Sequence, residues 1–254
     1  MDRQSGAEGL VEYILKVSRQ KENKRFYVLI IQGFLAGLFI AIGAIACLKV
    51  SSSITPPGLG SFLGALVFPL GIIAIVFMPA ELFTSDCLIV TSVYAGRTKA
   101  LKTAGVLCLV FVANVLGALF AAFLTKLSGI FDSATADLLV AKALPKAQMP
   151  VVRLFTSSIL CNIIVCTGVC LAFNCKEEIA KIFVLWLSIA VFVISGTEHV
   201  VANMYFLLAS LFYGSQIAAV DVLYSLVVSG IGNFVGGGII VAGMNYLVVG
   251  RQSN

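Results

Sequence analysis

From residue 26 to residue 249 the chain is a succession of apolar runs. Each is near or beyond the ~20 residues a helix needs to cross a ~30 Å hydrocarbon core. The runs lack the ~10-residue alternation of an outer-membrane barrel. Charged residues make up 11% of the chain, against about 25% in a soluble domain. An all-α polytopic membrane protein follows. The first 25 residues are charged rather than apolar, so no cleavable signal peptide is expected.

Six crossings account for the pattern. The first covers 26–50, with Gly33 and Gly37 on a small-xxx-small packing face. Residues 51–60, with Pro56-Pro57, read as a loop. The run 61–95 is too long for one uninterrupted span and is broken by Pro79 and the polar stretch Glu81-Leu82-Phe83-Thr84-Ser85-Asp86. The third crossing covers 101–127, and 128–150 forms the longest polar connection. The fourth covers 151–173; the fifth covers 179–212 and breaks around 196–203; the sixth covers 217–249.

An even number of crossings puts both termini on one side. Arg3, Lys16, Arg19, Lys21, Lys24, Arg25, the 97–102 loop, the 174–181 turn and Arg251 hold most of the basic residues. The positive-inside rule then places both termini in the cytoplasm of a cell's inner (plasma) membrane. The basic residues follow this topology and not a nucleic-acid patch. Residues 1–25 are expected to form an amphipathic segment on the cytoplasmic surface, with Leu10, Val11, Ile14, Leu15 and Val17 toward lipid. Residues 26–249 then make one channel domain. Cys161, Cys166 and Cys170 approximate one helical stripe and read as packing residues rather than a metal site. Neither a cofactor nor a metal is expected.

The two breaks carry the chemistry. A charged group at bilayer depth costs about 2.5–3.5 kcal/mol on insertion scales, so it is kept only where it lines a cavity or is paired. The second break, Gly196-Thr197-Glu198-His199-Val200-Val201-Ala202-Asn203, holds the only histidine. Glu81 and Asp86 of the first break align with Glu198 and Asn203 of the second, both pairs 117 residues apart. Asn114-x-x-Gly117 is echoed by Asn233-x-x-Gly236. Three crossings per half (about 26–127 and 151–249) make the second half inverted, the arrangement of channels and transporters with sites at midplane breaks. Asp86 and Asn203 are expected to be the N-caps of the resuming half-helices. Free backbone N–H groups there favour an anion. His199 adds a donor, and Glu198 is expected to hold its loop.

Four motifs, in order, resemble the formate–nitrite transporter family over about residues 10–250. They are Ala80-Glu81-Leu82-Phe83-Thr84-Ser85-Asp86, Leu160-Cys161-Asn162-Ile163-Ile164-Val165-Cys166, Gly196 to Met204, and Asn233-Phe234-Val235-Gly236-Gly237-Gly238. The likeness is closest to the hydrosulfide channel branch. It implies a homopentamer of aquaporin-like subunits, each with its own pore for small monovalent anions or their weak acids. It also implies that Leu82, Phe83 and Ile72 form a cytoplasmic constriction and Phe68 and Phe192 an outer one. Thr84, His199 and Asn233 would face the substrate between them, near Glu198, Asn203 and Asn162. Lys146, 16 residues before Asn162, matches a vestibule lysine. Two departures, Thr197 where formate members commonly have an aromatic residue and Asp86 in the first break, point away from formate as main substrate.

The competing readings are a formate or nitrite transporter proper, an aquaporin-like pore for neutral solutes, an intramembrane enzyme using Ser85, Ser195 and His199, and a scaffold. No Gly-x-Ser-x-Gly or His-Glu-x-x-His motif supports the enzyme. A scaffold has no need of polar midplane breaks.

Overall fold

The computed structural model of the chain describes residues 6–250; Arg3 and Arg251 lie outside the described residues. Helix α1 (Ala7–Glu22) precedes α2 (Phe26–Ser53). The second crossing is assembled from α3 (Pro57–Val67), α4 (Leu70–Phe77), α5 (Phe83–Asp86), a 3₁₀ turn (Cys87–Val90) and α6 (Thr91–Tyr94). Pro57 sits in the first turn of α3, where its missing N–H costs nothing, and Pro69 separates α3 from α4. The third crossing is α7 (Ala100–Ser128) and the fourth α9 (Val151–Asn174). Helices α10 (Glu178–Ile194) and α11 (Val200–Phe212) share the fifth. Helix α12 (Ala219–Phe234) passes through a π-helical stretch (Val235–Gly243) into α13 (Met244–Gly250) as the sixth. Five of the described helical segments are long and apolar enough to cross a membrane; the fifth crossing reaches that length only by adding its two pieces.

The repeat is visible in the packing. Helix α2 packs on α3 and α7, and α9 packs on α10 and α12. Both junctions depend on glycine. A Cβ on Gly37 would collide with the Asn114 carbonyl, one on Gly117 with the Phe34 carbonyl, and one on Gly236 with the Ile159 carbonyl. Small residues let the backbones approach where lipid gives no hydrophobic drive to do so.

The connection expected over 128–150 is instead largely a helix, α8 (Ser133–Ala147). Asp132 caps it by accepting from the Thr135 N–H at 2.9 Å. Leu139, Ala143 and Ala147, spaced by four, are buried on its inner side. Of the polar residues that suggested a loop, Asp132 and Asp137 are exposed, whereas Lys146 turns inward. Hydrogen bonds from the Thr135 hydroxyl and backbone, with Lys49 adding a third, lower Asp132 from 3.8 to about 2.

Helix α1 does not lie on the surface as a free amphipathic segment. Leu10, Val11, Ile14 and Leu15 are buried, and α1 packs against α6, α7, α9 and α13. Glu22 accepts from the Ser92 and Thr103 hydroxyls at 2.7 and 2.8 Å, which ties its end to α6 and α7.

Candidate functional site

Each break is held from another helix. In the first, Asn114 of α7 accepts from the Phe83 N–H at 3.0 Å and donates to the Gly33 and Glu81 carbonyls at 2.7 and 3.0 Å. In the second, Asn233 of α12 accepts from the Val200 N–H at 2.8 Å and donates to the Ser158 and Glu198 carbonyls at 2.7 and 3.0 Å. One amide thus satisfies the first N–H of the resuming half-helix and the carbonyl of the break's glutamate. Unpaired, these groups would each be costly at this depth. Gly196 turns the chain at φ 64° to open the second break. In the first, Gln32 of α2 donates to the Pro79 carbonyl at 2.8 Å, and its own carbonyl accepts from the Glu81 N–H at 3.1 Å.

This corrects the expected caps. Asp86 is the last residue of α5, and Asn203 is the fourth of α11, its N–H bonded to the His199 carbonyl at 2.8 Å. The caps come from Asn114 and Asn233, with His199 as the local cap of α11. The Asn203 side chain instead donates to Glu198 at 2.8 Å. Asn233, which the family resemblance places toward the substrate, has both amide atoms engaged by backbone.

The breaks meet at Thr84 and His199. The Thr84 hydroxyl and His199 Nε2 lie 2.9 Å apart, and both residues are buried. His199 Nδ1 accepts from the Ala202 N–H at 3.1 Å. A neutral ring accepting at Nδ1 carries its proton on Nε2, which therefore donates to Thr84 Oγ1. The Thr84 hydroxyl proton is then free to point at another acceptor. Asn162 donates to the Thr84 carbonyl at 3.0 Å and to the Asn233 carbonyl at 2.7 Å, joining the two halves beneath this pair. The Cys166 thiol donates to the same Thr84 carbonyl at 3.3 Å.

The aromatic residues flank the pair. Phe68 and Phe192 stack edge to face with ring centroids 5.6 Å apart, and Phe192 lies 5.4 Å from the His199 ring. Ile72 and Leu82 are buried, and Ile72 lines the cavity beside Lys21 and Lys24. Phe83 packs edge to face on Phe111 at 5.1 Å and lines an apolar groove between α7 and α12.

Each glutamate is met by lysine. On the face opposite the termini, Lys146 of α8 donates to both Glu198 oxygens at 3.0 and 2.9 Å. On the terminal face, Lys21 contacts Glu81 and Asp86, and Lys24 contacts Glu81 and donates to Gln32 at 2.7 Å. Burial opposes the charge on Lys21, but Asp86 and Glu81 outweigh it and hold the ammonium well above its ordinary range. Asn114, Gln32, Lys21 and Lys24 were not among the sequence-derived site residues. Only the Asn114 echo of Asn233 pointed to one of them.

Paired midplane breaks on an inverted repeat, with a hydroxyl–imidazole pair between aromatic walls, define a polytopic membrane channel or carrier. The formate/nitrite transporter family profile matches residues 8–247, and the chain belongs to that family. An uncharacterized transporter, YrhG, of Bacillus subtilis is 33% identical, covering 87% of this chain and 84% of its own. The formate channel FocA of Haemophilus influenzae is 33% identical over 76% of this chain and 70% of its own. Two solved structures share the fold. An FNT family ion channel matches with TM-score 0.85 at 22% identity, covering 96% of this chain and 98% of that one. A pentameric formate channel with formate bound matches with TM-score 0.77 at 26% identity, covering 88% of this chain and 97% of that one. The family comprises channels and transporters, not enzymes.

Proposed function

We propose that the chain forms a homopentamer in the plasma membrane, with both termini cytoplasmic. Each subunit is a channel for a small monovalent anion and its weak acid, hydrosulfide first, with formate and nitrite also passing. The observation that carries this reading is the buried Thr84–His199 pair at 2.9 Å, fixed in one tautomer by the Ala202 N–H.

Phe68 and Phe192 form the outer constriction, and Ile72, Leu82 and Phe83 the cytoplasmic one. A bare anion cannot cross such rings cheaply, because losing its hydration in a low dielectric is expensive. Between the rings the Thr84 hydroxyl, supported from behind by His199 Nε2–H, donates to the anion. A neutral imidazole cannot give up Nε2–H without becoming imidazolate. To pass a proton, His199 must first be protonated on Nδ1, which breaks its bond from Ala202. The proton that neutralises the anion therefore enters from the aqueous phase. Asn233, Asn162, Asn203 and Glu198 hold the breaks around this pair, and Lys146 draws anions to the outer vestibule while paired with Glu198.

Thr197 favours hydrosulfide: it donates to the Phe192 carbonyl at 3.2 Å, at a place where formate members commonly hold an aromatic ring. A formate or nitrite transporter proper is the second reading, favoured by the 33% identity to a protein named as a formate channel. Flux into liposomes of the purified protein separates them, with hydrosulfide, formate, nitrite, chloride and glycerol compared. Hydrosulfide passing fastest supports the first reading, and formate or nitrite without hydrosulfide supports the second. Glycerol passage without anion passage overturns both in favour of a neutral-solute pore.

A further inference from the structure

The two breaks are not electrostatically equivalent. In the second, Asn203 donates its amide to Glu198, so one lysine, Lys146, suffices. In the first, the repeat-equivalent residue is Asp86, which has no amide to offer Glu81. Lys21 instead bridges both carboxylates. Asp86 is fully enclosed, and its Oδ2 has no hydrogen-bond partner among the described residues.

Lys21 and Glu81 stand at a cavity of about 660 Å³ between α1 and the terminal-side end of the first break, which Lys24 and Ser85 also line; Asp86 is enclosed beside it and reaches it through Lys21. Around it the ammonium groups of Lys21, Lys24 and Lys181 meet the carboxylates of Glu81 and Glu178, and the enclosed Asp86 carboxylate contacts Lys21. Lys181 and Glu178 pair with each other at 2.7 Å. The mouth is therefore charge-balanced, and the balance depends on the acid at position 86.

We infer that Asp86 is a specificity-determining residue of the terminal-side mouth, one that cancels the charge of Lys21 and so weakens anion entry from that face. The inference rests on the anion-passage reading above. An anion arriving from this side must compete with two carboxylates for Lys21. Replacing Asp86 by asparagine restores the pattern of the other half, an amide on the glutamate, and leaves the mouth with one unit of positive charge. Lys21→Gln moves the charge the other way, and the double variant restores the balance.

The test is the half-saturating concentration of formate and of hydrosulfide, measured from each face in right-side-out and inside-out membrane vesicles. All variants are first checked for wild-type oligomer size. From the terminal face Asp86→Asn lowers half-saturation about tenfold, the effect of one unit charge ~10 Å away at an effective dielectric constant of about 25. Lys21→Gln raises it, and the double variant returns it toward wild type. Values from the opposite face stay unchanged. A residue that merely held the fold together would not produce opposite shifts that cancel. Unchanged half-saturation in Asp86→Asn, or shifts of the same sign in both single variants, overturns the inference while leaving the channel reading intact. Absence of anion passage in the wild type overturns both.

Discussion

Replacing Asn233 by alanine removes three hydrogen bonds at once. The side chain is fully buried, and its partners are the Val200 N–H and the carbonyls of Ser158 and Glu198. Each buried group left without a partner costs about 1–3 kcal/mol, so the loss is at least about 3 kcal/mol. On the scale of domains of 150–250 residues, about 3 kcal/mol lowers Tm by roughly 6–12 °C. Flux falls as well, because the Val200 N–H and Glu198 carbonyl bracket His199, and freeing them releases the ring from Thr84. Scanning fluorimetry of the detergent-solubilised protein reads the first effect and liposome flux the second. A Tm within about 2 °C of wild type, with flux intact, would refute the idea that Asn233 holds the second break.

Three further outcomes follow from the same geometry. Lys146→Gln leaves the buried Glu198 carboxylate with only the Asn203 amide and costs about 3 kcal/mol; adding Glu198→Gln restores most of the Tm, and a double variant no better than the single one contradicts the pairing. Gly117→Ala costs about 1–3 kcal/mol because its methyl meets the Phe34 carbonyl, whereas Gly105→Ala on the same helix, with nothing within 4 Å, is neutral or stabilising; equal Tm values would contradict the close crossing. Asp132, lowered from 3.8 to about 2 by Thr135 and Lys49, stabilises the start of α8 above pH ~4 and loses this as pH falls toward 2, so the Tm difference between wild type and Asp132→Ala is constant from pH 8 to 5 and closes below 4; closure already at pH 6 refutes the cap.

Much of the frame was legible in the residues themselves. Run lengths marked the crossings, Pro79 and Gly196 marked the breaks, and the spacing of Glu81 with Glu198 exposed the repeat. What failed was local inference about long-range partners. Asp86 and Asn203 looked like caps because a cap is ordinarily a near neighbour. In this fold the capping amides come from helices 31 and 33 residues further along the chain, reaching Phe83 and Val200. The lysines that neutralise Glu81 come from the end of α1 and the turn after it, Lys21 and Lys24, a stretch whose basic residues were fully explained by topology alone. Helix α8 was missed because its solvent face is polar, although the Asp132–Thr135 cap and the Leu139, Ala143, Ala147 spacing were present to be read. The π-helical stretch after Phe234 covers Gly236, Gly237 and Gly238, which the sequence offered only as part of a motif in a continuous sixth crossing. There the Tyr94 hydroxyl donates to the Gly238 carbonyl at 3.0 Å.

The central claim is that a single imidazole, held by Ala202 and aimed at Thr84, governs anion passage. The most direct measurement is liposome flux of hydrosulfide and formate from pH 5 to 8 in wild type and His199→Phe, with pentamer integrity checked in both. Flux that rises with acidity in the wild type and vanishes in a correctly assembled His199→Phe is the predicted result. Wild-type flux and pH profile in that variant would contradict it.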